Sequence, residues 1–205
     1  MRRGPAQYFA LSNALSYLSL VCGIGAVIAA RELKNWEVAG LLIGVSALAD
    51  TFDGKFAGLF RRTELEKAFG VQLDSLVDAV SFGVVPVLCL NALVPIESRI
   101  LWVAWTGAAA LYVLCGLTRL GFYNLHQSRD AGFVGLPTTL AGLIWSTVFL
   151  FHPSLLFTIS LLIGIGLAMV SFLPIPRPRG ITMAVYMSWV WIVLVSHGVL
   201  LARHS

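Results

Sequence analysis

Long apolar runs, broken by short polar clusters, set the pattern of this 205-residue chain. Residues 4–30, 79–96, 100–118, 131–176 and 180–202 contain no Asp, Glu, Lys or Arg. An apolar run of about 18 residues or more reads as a membrane-spanning helix, since about 20 residues cross the hydrocarbon layer. The runs predict helices at 11–31, 37–60, 70–95, 99–125, 135–151, 154–173 and 181–202. His152-Pro153 is the predicted turn within the stretch 131–176, whose length exceeds one span. The expected fold is all-α: a polytopic transmembrane helical bundle of six to seven spans, one domain over residues 1–205, with no internal repeat.

Composition supports that reading and removes others. Hydrophobic residues make up 58% of the chain and charged residues 12%, and the mean hydropathy is +0.86. A soluble domain carries about 25% charged residues, and disorder needs low hydrophobicity with high charge. The opening Met-Arg-Arg-Gly-Pro precedes a long apolar stretch without a small-x-small cleavage site, so an uncleaved first helix is expected. Cys22, Cys89 and Cys115 lie in apolar runs without metal-type spacing and read as packing residues. The net charge of +4 is not interleaved with aromatics in a basic patch, so no nucleic-acid partner is expected. Its distribution says more. With the N-terminus inside, the cytoplasmic side holds Arg2, Arg3, Arg61, Arg62, Lys67, Arg119, Arg129, Arg177 and Arg179, against Arg31, Lys34, Arg99 and Arg203 outside. That excess predicts a cytoplasmic N-terminus and a cytoplasmic loop at 61–69.

Four of the five aspartates, Asp50, Asp53, Asp74 and Asp78, fall in one 29-residue window that includes the ends of two predicted spans. An ionised side chain near mid-membrane costs roughly 2.5–3.5 kcal/mol on insertion scales, and less near the ends. Asp50 and Asp53 stand at i, i+3 on one helix, and Asp74 and Asp78 at i, i+4 on the next, so each pair projects from one face. A hairpin through 61–69 brings all four together near the cytoplasmic surface. Hard oxygen ligands of this kind suit Mg²⁺ or Mn²⁺. Two other arrangements use the same acids: a salt-bridged helix cap with Lys55, Arg61 or Arg62, and a proton or cation pathway. Gly54, Ala57 and Gly70 lie beside the acids, where small residues admit a flat or charged ligand or a close helix. With the acids they favour a nucleotide diphosphate–metal site.

The stretch Asp50-Thr-Phe-Asp53-Gly54-Lys-Phe-Ala57, then Gly70-Val-Gln-Leu-Asp74-Ser-Leu-Val-Asp78, resembles the signature of the CDP-alcohol phosphotransferases, D-x2-D-G-x2-A-R followed by G-x3-D-x3-D. Further segments resemble the bacterial phosphatidylserine synthase branch: Ser12-Asn-Ala-Leu-Ser16, Arg62-Thr-Glu-Leu-Glu-Lys-Ala-Phe, Ser81-Phe-Gly-Val-Val-Pro86, Arg119-Leu-Gly-Phe-Tyr-Asn124 and Gly135-Leu-Pro-Thr-Thr139. They run from residue 12 to residue 139. One position departs, because the family has Arg directly after the motif alanine and this chain has Gly58.

The resemblance implies two Mg²⁺ or Mn²⁺ ions, one held by Asp50, Asp53 and Asp74 and the other by Asp50, Asp74 and Asp78. It implies that Asp78 takes the proton of an acceptor alcohol that attacks CDP-diacylglycerol. Asp53, Gly54 and Ala57 would line the cytidine pocket, Gly70 would keep the facing helix close, and Asn13 and Ser16 would face the same region. Lys55, Arg61 or Arg62 would supply the charge missing at Gly58. Arg119 would bind a phosphate or a serine carboxylate, or act as a positive-inside anchor. The implied partners are CDP-diacylglycerol, a small alcohol such as L-serine, the bilayer of a bacterial-type inner membrane with the site facing the cytosol, and a second copy of the chain. Other alcohols (inositol phosphate, glycerol phosphate, choline) stand nearest as alternatives, followed by a membrane prenyltransferase and a cation transporter.

Overall fold

The computed structural model describes residues 4–126, 133–176 and 179–204. Two short 3₁₀ turns, Pro5–Tyr8 and Leu11–Asn13, lead into α1 (Ala14–Glu32), followed by α2 (Trp36–Ala57). Helix α3 (Glu64–Asp78), a π-helical segment (Ala79–Val84) and α4 (Val85–Leu93) run on from one another, and α5 spans Arg99–Leu125. Strand β1 (Phe133–Val134), α6 (Thr138–Phe149), α7 (Leu155–Met169), β2 (Pro174–Ile175) and α8 (Ile181–His204) complete the described chain. β1 and β2 pair antiparallel, Phe133 opposite Ile175.

Among the described residues, four helices are long and apolar enough to cross a membrane: Leu11–Glu32, Glu64–Leu93, Arg99–Leu125 and Ile181–Arg203. Helix α2 has 22 residues, but Glu37, Asp50, Asp53 and Lys55 interrupt its apolar surface. Helices α6 and α7 have 12 and 15 residues, shorter than the predicted spans 135–151 and 154–173. Their flanks are used otherwise. Gly135 turns at φ +74, Pro137 precedes α6, and residues 133–134 and 174–175 form the strand pair. The predicted turn at His152-Pro153 is present, with His152 at φ +45 and its Nε2 3.1 Å from Glu37 Oε1.

The predicted loop at 61–69 is shorter than expected. Thr63 accepts from the Glu66 N–H while the Glu66 carboxylate accepts from the Thr63 N–H, a reciprocal cap that starts α3 at Glu64. Hydropathy misses these turns because Glu64, Glu66 and Lys67 lower it there.

Helix α2 packs against α1, α6 and α8, and small residues make that possible. Ala26, Ala30, Ala39 and Ala47 are fully buried, and the Ser19 and Ser46 hydroxyls meet at 2.7 Å between α1 and α2. A Cβ at Gly40 would strike the His197 ring of α8, and the Ser146 hydroxyl of α6 donates to the Gly40 carbonyl at 2.6 Å. Such close approach is how helices associate where lipid removes the hydrophobic drive between them.

Pro86 shapes the continuation of α3. It has no N–H to offer the carbonyl four residues earlier, Phe82 O, and the buried Tyr112 hydroxyl of α5 donates to that oxygen at 2.5 Å. A Cβ at Gly142 would collide with the Phe82 ring, so α6 sits close against the same segment. Tyr112→Phe is expected to leave the Phe82 carbonyl buried and unpaired, at a cost of about 1–3 kcal/mol. Thermal unfolding in detergent checks it, and an unchanged midpoint would show that the bond carries no stability.

Candidate functional site

Two helices deliver the acids. α2 carries Asp50 and Asp53 one turn apart near its C-terminal end, and α3 carries Asp74 and Asp78 one turn apart. One carboxylate oxygen from each of Asp50, Asp74 and Asp78 lies within 4.8 Å of the others. Asp53 adjoins this trio, within hydrogen-bonding reach of Asp74, and accepts a bond from the Ser16 hydroxyl at 3.3 Å. No described ion pair involves any of the four aspartates. The salt-bridged cap is therefore not what the described residues build.

The partners of the acids are hydroxyls. Thr138 Oγ1 donates to Asp78 Oδ2 at 2.8 Å, and Thr139 Oγ1 donates to Asp50 Oδ2 at 2.5 Å. Asp78 is 8% exposed, and its Oδ1 is buried without a hydrogen-bond partner among the described residues. A buried carboxylate oxygen left unpaired is costly, so its presence marks a place where a ligand belongs. Arg119 on α5 is also buried and near enough to Asp78 and Asp50 to feel their charge. Its guanidinium lies over the Tyr123 ring, 4.9 Å from the centroid, and its Nε has no partner among the described residues.

Beside the acids opens a cleft of about 210 Å³, open on one side. Asn13 and Ser16 line one side, Asp53, Gly54 and Ala57 a second, and Gly70 and Asp74 a third. A Cβ at Gly54 would meet nothing within 4 Å, whereas one at Gly70 would meet Arg62 Nη1 at 3.3 Å and Asn13 Oδ1 at 3.5 Å. Arg62 and Lys67 supply positive charge to the lining. Lys55 and Arg61 are exposed and line no part of the cleft; the Lys55 ammonium lies 5.6 Å from the Phe52 ring centroid. Gly58 caps α2 and is exposed. A second, mostly apolar cavity of about 210 Å³ lies at Arg119, lined also by Phe122, Met169 and Phe172.

Four further residues belong to this site. Ser12 and Lys67 line the cleft, and Thr138 and Thr139 hold the acids. All four lie inside the segments that carry the resemblance. Lys67 reads as a loop cation in the hydropathy pattern, and the threonines read as part of an apolar run. The donor set suits a hard divalent cation, because it offers converging carboxylates, an unsatisfied oxygen and, among the described residues, no paired side-chain cation.

Residues 9–173 match the family model described as CDP-alcohol phosphatidyltransferase. An archaetidylserine synthase of Methanothermobacter thermautotrophicus is 28% identical over 175 residues, covering 84% of this chain and 72% of the relative. A CDP-diacylglycerol–serine O-phosphatidyltransferase of Methanocaldococcus jannaschii is 30% identical over 167 residues, 82% of this chain and 74% of the relative. The protein of the same name from Mycobacterium bovis is 33% identical over 134 residues, 62% of this chain; the match spans 44% of that longer relative.

Gly54 offers a direct test of the cleft. Gly54→Ala is expected to hold or raise thermal stability by up to about 1 kcal/mol, since the methyl meets nothing and helix propensity improves. Gly54→Leu fills the same space and is expected to weaken CDP binding by at least about tenfold, or ~1.4 kcal/mol. Thermal unfolding reads the first and titration calorimetry the second, and wild-type affinity in the leucine variant would show that CDP does not use this space.

Proposed function

Because the chain belongs to the CDP-alcohol phosphatidyltransferase family, we propose that it transfers a phosphatidyl group from CDP-diacylglycerol to L-serine, giving phosphatidylserine and CMP. One observation carries the transfer chemistry: the oxygens of Asp50, Asp74 and Asp78 converge beside an open cleft lined by Arg62 and Lys67. Serine as the acceptor is supported by the names of the bacterial and archaeal relatives.

In this reading the cleft takes the CDP moiety. Gly54, which leaves open space beside α2, and Ala57 admit the flat base, while Asn13 and Ser16 offer it polar contacts. Arg62 and Lys67 bind phosphate oxygens, the task the family assigns to an arginine at the position of Gly58. Asp50, Asp53 and Asp74 would hold one divalent ion and Asp50, Asp74 and Asp78 a second. Bound there, Mg²⁺ or Mn²⁺ supplies charge neutralisation to the diphosphate and to the departing CMP.

Asp78 acts as the general base through Oδ1, the oxygen that Thr138 leaves free. The serine oxygen forms a bond to the β-phosphorus, its proton passes to Asp78, and the bond from that phosphorus to CMP breaks with CMP taking the electron pair. Arg119, adjoining both the acids and the second cavity, receives the serine carboxylate. The acyl chains remain in the bilayer while the headgroup reaches the site. The excess of Lys and Arg supports the N-terminus and the site on the cytosolic side; the apolar runs support six or seven spans, and the family resemblance a homodimer.

Purified protein supplied with Mn²⁺ and CDP-diacylglycerol is expected to release CMP on addition of L-serine. No release with serine, inositol phosphate, glycerol phosphate or choline would remove the transferase reading. Release with one of the others but not with serine would replace the acceptor. Asp78→Asn is expected to lower turnover by about 10²-fold or more while CDP still binds. Near-normal turnover would remove Asp78 from the role of base.

A further inference from the structure

Among the described threonines, most hydroxyls bond backbone close by in the chain: Thr63 caps α3 and Thr182 donates to the Arg179 carbonyl three residues earlier. Thr51, Thr106, Thr118, Thr147 and Thr158 each donate to the carbonyl four residues earlier, within 2.9 Å. This is the usual fate of a threonine inside a helix. Thr138 and Thr139 are the first two residues of α6, so the carbonyls four residues before them, at Val134 and Gly135, lie outside the helix. Their hydroxyls are therefore free to bond elsewhere. Pro137 at the N-cap makes no side-chain cap, and neither threonine caps its own helix. Both donate instead to carboxylates, Thr138 to Asp78 on α3 and Thr139 to Asp50 on α2.

The turn before α6 is held firmly. Gly135 sits at φ +74, and a Cβ there would run into the carbonyl of Met169. The Gly135 N–H donates to Leu173 O at 2.9 Å and the Leu136 N–H to Ala168 O at 3.0 Å, which fastens the turn to the end of α7. The pairing of β1 with β2 adds a second attachment. Gly142 then seats α6 against the Phe82 ring, just beyond Asp78 in the chain. The start of α6 is fixed at both of its ends before any ligand arrives.

We propose that Thr138 and Thr139 are positioning residues for the transfer: together they clamp the carboxylates of two separate helices. Thr138 occupies Asp78 Oδ2 and leaves Oδ1 as the oxygen that meets the acceptor hydroxyl. Thr139 fixes the Asp50 carboxylate toward the shared centre, so its hydroxyl governs how tightly the trio holds a cation. Groups that orient ligating carboxylates commonly affect metal affinity or activity by about 10–100-fold. This assignment rests on the transfer reading for Thr138 and on the geometry of the acids alone for Thr139.

The test separates the two. With full-length protein in detergent, Thr138→Val is expected to lower kcat for CMP release by about tenfold or more, with KM for both substrates within about twofold. Thr138→Ser is expected to restore most of the loss. Titration of the protein with Mn²⁺ alone, free ion followed by electron paramagnetic resonance, is expected to show about tenfold weaker binding in Thr139→Val and recovery in Thr139→Ser. The alanine variants carry the same expectations should a valine variant fail to fold. Wild-type kcat in Thr138→Val, together with wild-type Mn²⁺ affinity in Thr139→Val, would overturn the clamp. So would serine and valine variants equally impaired, which would point to packing alone. If the unmodified protein releases no CMP, the transfer reading fails, and the Mn²⁺ titration still decides the Thr139 half.

Discussion

Carboxylates crowded within 5 Å of one another, in a helical bundle with apolar surroundings, repel each other and give up hydration. Asp50, Asp74 and Asp78 are in that position, with Asp53 adjoining, and no described side-chain cation pairs with any of them. The surrounding structure makes the arrangement tolerable. Hydroxyls from Ser16, Thr138 and Thr139 donate to three of the four acids. Arg119 stands near Asp50 and Asp78 without forming an ion pair to either. One oxygen of Asp78 is left over. In the proposed function, the site is completed from outside by positive charge that arrives with or before the substrate.

Holding such a cluster steady requires that its helices cannot slide. Alanines 26, 30, 39 and 47, and the glycines at 40 and 44, let α2 approach α1, α6 and α8 at close range. Hydrogen bonds between helices, such as Ser19 with Ser46 and Ser146 with the Gly40 carbonyl, fix the register. On the α3 side, Pro86 breaks the regular ladder below Asp78, and Tyr112 repairs the exposed carbonyl. Small residues and hydroxyls thus set the closest helix approaches, around a core of large buried side chains such as Trp145, Phe149 and Leu162.

Much of the fold was legible in the pattern of charge-free runs, because hydrocarbon tolerates few interruptions. The long helices α1, α5 and α8 fall within a few residues of their predicted limits. The short ones do not: what stops α6 and α7 is a positive-φ glycine, a proline and a two-residue strand pair, none of which changes hydropathy. The early start of α3 was written as a capping pair, Thr63 and Glu66, within a stretch that hydropathy reads as loop. The π-helical segment after Asp78 left no mark in the pattern. The four aspartates stood out because charge is scarce in this chain, and their i+3 and i+4 spacings led to one point. Thr138 and Thr139 did not stand out, since hydroxyls inside an apolar run usually bond their own helix and carry no charge. Lys67 was hidden by its neighbours, as one cation among several near the membrane edge.

The central claim is that the aspartates of α2 and α3 form one cation and diphosphate centre. Anomalous diffraction at the manganese edge, from crystals grown with Mn²⁺ and CDP, tests it most directly. The account predicts anomalous density among Asp50, Asp74 and Asp78, with the CDP diphosphate against it and the cytidine in the cleft beside Gly54 and Ala57. Manganese found elsewhere, or CDP bound away from an acid cluster that remains empty, would contradict it.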